Sequence, residues 1–85
     1  MSDNPPAPLR VHILGPLREQ LGSASAVIAF PADGTQALFW KALAEKFPVA
    51  LPRQIRLARG NEFLDDAEPL RPGDELALIP PVSGG

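Results

Sequence analysis

Between Thr35 and Phe47 the spacing of apolar residues changes, and that change limits the fold more than any other feature. At about 100° per residue, Leu38, Phe39, Ala42, Leu43 and Phe47 fall within one half of a helical wheel. Asp33 or Thr35 supplies a capping oxygen at the start of this helix, and Pro48 stops it. On either side the period is two, as in half-buried strands. "LRVHIL" (9–14) places Leu9, Val11 and Ile13 on one face and Arg10 and His12 on the other. "AVIAF" (26–30) is a β-branched and aromatic run ended by Pro31 and the Asp33-Gly34 turn signal. "IRLAR" (55–59) alternates with Ile55, Leu57 and Arg59 in line, and "ELALI" (75–79) separates Leu76 and Leu78 from Ala77 and Ile79. One helix covers one face of a sheet, so an α+β domain is expected, with a mixed sheet and one main helix packed across one face.

The connections complete the order. "GPLREQLGSAS" (15–25) opens and closes on turn residues and suits a loop with a short helical turn, which makes the first two strands a hairpin with a long connection. "GNEFLDDAEPL" (60–70) reads as a turn, a short extended piece and a loop. "RPGDE" (71–75) is a strong turn, because Pro72 sets φ at the first central position and Gly73 supplies φ > 0 at the second. The sequence β-β-α-β-(short β)-β is the layout of the β-grasp, or ubiquitin-like, fold. The chain then divides into three segments: a flexible leader over 1–8, with three prolines and no periodicity, the β-grasp domain over 9–79, and an extended tail over 80–85.

The rest of the composition mostly excludes. A chain of 85 residues buries only about 60% of its unfolded surface, which still supports one small core. A net charge of −2 argues against a nucleic-acid surface, and the absence of cysteine removes disulfides, thiolate nucleophiles and Cys/His zinc sites. No metal site and no bound cofactor are expected. No stretch approaches the length of a membrane span, and "MSDNPPAP" lacks a signal-peptide pattern, so a soluble cytoplasmic protein is expected. The one histidine, His12, lies on the polar side of its strand as a surface residue, and no nucleophile-elbow pattern surrounds any of the four serines. Glu62, Asp65, Asp66, Glu68, Asp74 and Glu75 make 61–75 acidic, as a solvated surface or a docking face for a basic partner. Trp40 sits at the edge of the helix's apolar arc, half in the core or turned to a partner. There is no Gly-rich phosphate loop. Acting alone, this chain is not expected to be an enzyme.

The tail "PPVSGG" is different. Pro80 and Pro81 end the last strand, since proline cannot donate to the ladder, and hold the next residues extended. Val82 and Ser83 are modest in size, and Gly84 and Gly85 have no side chains, so their backbone can enter a narrow channel. The terminal carboxylate of Gly85 is then the least hindered reactive group in the chain. From these features alone, two readings stand: a probe for another protein's active site, or an ordinary flexible end.

"GDELALIPPVSGG" at the end of such a domain resembles the MoaD/ThiS family of sulfur carriers, which includes the small subunit of molybdopterin synthase. The likeness continues in "LGPLREQLGSAS", with Leu17-Arg18-Glu19 and Gly22 in place, and in Pro69-Leu70 and Gly73-Asp74-Glu75. It covers essentially residues 9–85. The resemblance implies that an activating enzyme related to those of ubiquitin adenylates Gly85 with ATP. A sulfur donor then converts it to a thiocarboxylate, and Pro80, Pro81, Val82, Ser83 and Gly84 thread into the large synthase subunit. There the sulfur would build the dithiolene of molybdopterin from cyclic pyranopterin monophosphate, in a heterotetramer of two small and two large subunits. Two departures stand out: Gly60 replaces a frequent asparagine, with Asn61 next to it, and Leu78-Ile79 replaces frequent aromatics. Ile79 should point off the core face and, with Phe63, offer an apolar surface to a partner. Related destinations are thiazole synthesis, tRNA thiolation and conjugation to lysines; a β-grasp binding module with an inert terminus is the alternative from another class.

Overall fold

The computed structural model describes residues 5–48 and 54–80. The alternating stretches become strands β1 (Leu9–Ile13), β2 (Ser25–Ile28), β3 (Arg56–Arg59), β4 (Glu62–Phe63) and β5 (Glu75–Ile79). They form one sheet in the order β2-β1-β5-β3-β4. β1 pairs antiparallel with β2 (Val11↔Ala26) and parallel with β5 (Ile13↔Leu78), while β3 runs antiparallel to both β5 (Leu57↔Leu78) and β4 (Ala58↔Phe63). The sheet is therefore mixed, and its first and last strands lie side by side at the centre.

The period-two pattern decides which face is dry. Leu9, Val11, Ile13, Ile28, Leu57, Leu76 and Leu78 are all buried, and they meet Phe39 and Leu43 of helix α2 (Gln36–Lys46). Each such side chain contributes about 1.5–3 kcal/mol on burial. A five-residue helix, α1 (Leu17–Leu21), occupies the long hairpin connection and adds Leu17 to the core. β2 stops at Ile28, two residues short of the run read from sequence; Phe30 leaves the ladder but still packs against the core.

Of the two candidate caps of α2, Thr35 is the one used, and Asp33 holds Thr35 in place. Thr35 Oγ1 accepts from the Leu38 N–H, while Asp33 Oδ1 accepts from the Thr35 N–H at 2.9 Å and from its hydroxyl at 2.6 Å. Those bonds hold the Asp33 carboxyl below its ordinary range, the hydroxyl bond contributing most. Trp40 is half-buried against the core, its ring edge-on to Phe39 at 5.2 Å.

Two polar fastenings hold the long connection between β4 and β5. Gln36 is the buried polar residue of the domain among those described, and its Nε2 donates to the carbonyls of Asp65 (2.6 Å) and Glu68 (3.0 Å). Arg59 donates from Nε and Nη2 to one oxygen of Asp74, at 3.0 and 2.8 Å, and from Nη2 to the Pro69 carbonyl at 3.0 Å. The same Asp74 oxygen also accepts the Arg71 N–H. The acidic stretch is thus not a uniformly solvated surface: Asp74 is an internal partner for Arg59, with Glu68 3.7 Å away. The turn before β5 closes through Asp74 N–H to Arg71 C=O at 3.1 Å, with Gly73 at φ +79°. Ala7, placed by sequence in the leader, accepts a bond from the Gly73 N–H at 3.1 Å.

Candidate functional site: the exit end of the last strand

The site is assembled where β5 ends. Because β1 and β5 are parallel neighbours, the turn after β1 and the chain after Ile79 leave the same end of the sheet. Pro80 comes directly after Ile79 and ends the strand, as its missing N–H requires. It meets the backbone of Gly15: a methyl group at Gly15 would stand 3.3 Å from Pro80 Cγ. The other tail residues singled out from sequence, Pro81, Val82, Ser83, Gly84 and Gly85, lie outside the described residues.

Beside this exit lies an apolar depression on the face of the sheet away from α2. Ala58, Gly60, Asn61, Glu62, Phe63 and Ile79 line its volume of about 160 Å³. The structure therefore brings Phe63 and Ile79 together; the alternation of β5 accounts for the outward aspect of Ile79, and the pairing of β4 with β3 brings Phe63 to it. Ile79 is half-buried, opposite to Leu76 and Leu78, while Phe63 is 51% exposed. The register pairs Arg56 with Ile79, and the Arg56 guanidinium sits 4.0 Å from the centre of the Phe63 ring. This cation–π contact orients the ring without covering the depression. Sequence reasoning did not find Arg56; its two-residue spacing from Ala58 on the outward face was the available signal.

The remaining candidates are elsewhere. His12 is exposed on β1, between Ser25 and Ala77 in the ladder. No group of three or more histidine, aspartate or glutamate side chains among the described residues is placed to hold a metal ion. No helix among them is long and apolar enough to cross a membrane. What this end of the sheet offers is Pro80, at the end of the last strand, beside a small apolar surface.

A mixed sheet of this order, one helix across it and a C-terminal strand at its centre define a ubiquitin-like β-grasp domain. Two crystal structures of small archaeal modifier protein 1 from Haloferax volcanii superpose on it. One has a TM-score of 0.76 and 29% identity, over 93% of this chain and all of that one; the other has 0.74 and 28%, over 89% and 99%. The model of the ThiS family matches residues 11–85, and the chain belongs to that family. The human molybdopterin synthase sulfur carrier subunit is 35% identical over 72 residues, spanning 79% of this chain and 82% of the human one. The subunit of the same name from Arabidopsis thaliana is 31% identical over 81 residues, spanning 91% and 82%.

Proposed function

We propose that this chain is the sulfur-carrier subunit of a molybdopterin synthase and that Gly85 carries the sulfur. The observation that carries the proposal is the placement of Pro80 beside the Phe63–Ile79 depression, in a chain whose relatives bear that name. The Gly85 carboxylate attacks the α-phosphorus of ATP on an adenylating enzyme, and pyrophosphate leaves. Sulfide, delivered at that oxidation level by a sulfur donor, then attacks the acyl carbon, AMP leaves, and a thiocarboxylate results. The large synthase subunit binds the apolar depression, receives residues 80–85, and passes the sulfur to cyclic pyranopterin monophosphate. In this scheme the chain supplies recognition and a backbone terminus, and its partners supply the catalytic side chains.

Intact mass is the direct test. Incubation with the adenylating enzyme, ATP and a sulfur donor should exchange one oxygen for sulfur, mapped to Gly85. An unchanged mass beside an enzyme active on another carrier would refute the proposal. Deleting Gly84 and Gly85 should abolish the exchange and leave much of the docking. The likeness to an archaeal modifier protein favours a second reading, conjugation through Gly85 to lysines, which would appear in the same experiment as adducts of higher mass.

A further inference from the structure

Gly15 has φ +58°, a conformation that a side chain opposes, and the Pro80 ring lies so close to its bare Cα that a methyl group there would stand 3.3 Å from Pro80 Cγ, tighter than an ordinary van der Waals contact. The turn that carries Gly15 is braced twice by one residue. Arg18 donates from Nε to the Ile13 carbonyl at 3.0 Å, and from its backbone N–H to the Gly15 carbonyl at 3.1 Å. Ile13 is itself locked opposite Leu78 in the parallel ladder, one residue before Ile79. The ledge under Pro80 is therefore tied to the strand that delivers it. A proline ring fixes φ of its own residue at about −65°, and Pro81 next in sequence confines ψ of Pro80 to the extended region, so the seat of the ring also aims the backbone beyond it.

We infer that Gly15 is a positioning residue for the C-terminal tail: its bare backbone seats the Pro80 ring and sets the direction in which the chain leaves the domain. The consequence for sulfur transfer rests on the carrier function proposed above; the geometric claim does not. A methyl group at Gly15 would shift the Pro80 ring by a few tenths of an ångström, and that tilt, carried along the residues that follow, would misdirect the approach of Gly85 to the adenylating enzyme. A built-in control exists in the same connection. Gly22 has φ +71°, but a methyl group there meets no heavy atom within 4 Å. Gly22→Ala thus carries the same backbone conflict without touching the tail.

The test uses the full chain with Ser83→Cys, a unique labelling position because the sequence has no cysteine. A nitroxide at that position broadens the domain amides that the tail visits. Gly15→Ala should redistribute this broadening, Gly22→Ala should leave it as in the parent, and Pro80→Ala, which empties the seat from the other side, should also redistribute it. In unlabelled chains, Gly15→Ala should lower kcat for adenylation by about tenfold, since small misplacements of a reacting group are costly, with KM within about twofold. Gly22→Ala should change neither constant. Equal behaviour of the two glycine variants, or an unchanged broadening map for both Gly15→Ala and Pro80→Ala, would overturn the inference. Should Gly15→Ala fail to fold, Pro80→Ala alone decides. A parent chain that is never adenylated would instead count against the carrier function, and the broadening maps would still judge the ledge.

Discussion

Replacing Arg59 with methionine tests whether the clasp before β5 stabilises the domain without touching its chemistry. Methionine keeps the apolar stem and removes the guanidinium. The loss comprises two charge-assisted bonds to one Asp74 oxygen and a third to the Pro69 carbonyl, at 2.8–3.0 Å. The Arg59 and Asp74 side chains are 23% and 12% exposed, so the pair lies between two regimes. Exposed pairs contribute about 0–1 kcal/mol, and breaking a buried pair costs about 3–5. The Arg71 N–H still serves Asp74 after the substitution, which favours the lower half of that interval. The expected destabilisation is about 2 kcal/mol, or roughly 8–16 °C in Tm for a domain of this size. Urea and thermal unfolding measure it. Glu68→Gln should cost no more than about 0.5 kcal/mol, because that contact is long, at 3.7 Å, and the Glu68 carboxylate is partly exposed to water. In the double variant with Asp74→Asn the losses should be less than additive, since no unpaired charge remains. The clasp stands at the start of β5 and the tail at its end, about 16 Å away along five residues. The rate of thiocarboxylation, taken well below both melting points, should therefore be unchanged. A variant that melts within about 2 °C of the parent would show the clasp to be a solvated surface contact, against the stability reasoning.

Three further outcomes are expected. Ile79→Asp and Phe63→Asp should each weaken binding to the large synthase subunit at least about tenfold by calorimetry, a loss of about 1.4 kcal/mol, and unchanged affinity would remove the docking face. Gln36→Ala should destabilise by about 2 kcal/mol in urea unfolding, one for each bond to the Asp65 and Glu68 carbonyls, and a loss under about 0.5 would mean that water replaces both. Asp33→Asn probes pH. The folded carboxyl titrates below its ordinary value, so its contribution is present above the unfolded pKa and lost as pH falls through the folded one. The stability gap between parent and variant should accordingly narrow below about pH 4 and stay constant above it.

What could be read from the residues was whatever depends on near neighbours. Alternation over 9–14 and 75–79 named the dry faces of β1 and β5, because successive side chains in a strand point to opposite sides. The cap at Thr35, the stop after Lys46 and the turn at Pro72-Gly73 arise from local hydrogen bonding and sterics. The same locality made the end of β5 and the outward aspect of Ile79 legible, and hence half of the candidate site.

The other half depended on which strands became neighbours. Arg59 looked like one more residue of an alternating run, and its partnership with Asp74 exists only because β3 and β5 pair antiparallel. Gln36 reads as a first-turn helix residue until the connection after β4 folds over it. Sequence alone therefore determined the elements, the buried faces and the slender terminus, since these arise from the chain's own period and its side-chain-free residues. Tertiary structure decided how Phe63, grouped with Ile79 from the sequence, comes to meet it, and it alone decided that Gly15 would seat Pro80. The first contact comes through the antiparallel pairing of β3 with both β4 and β5, the second through the parallel pairing of β1 and β5, and no local period encodes which strands pair.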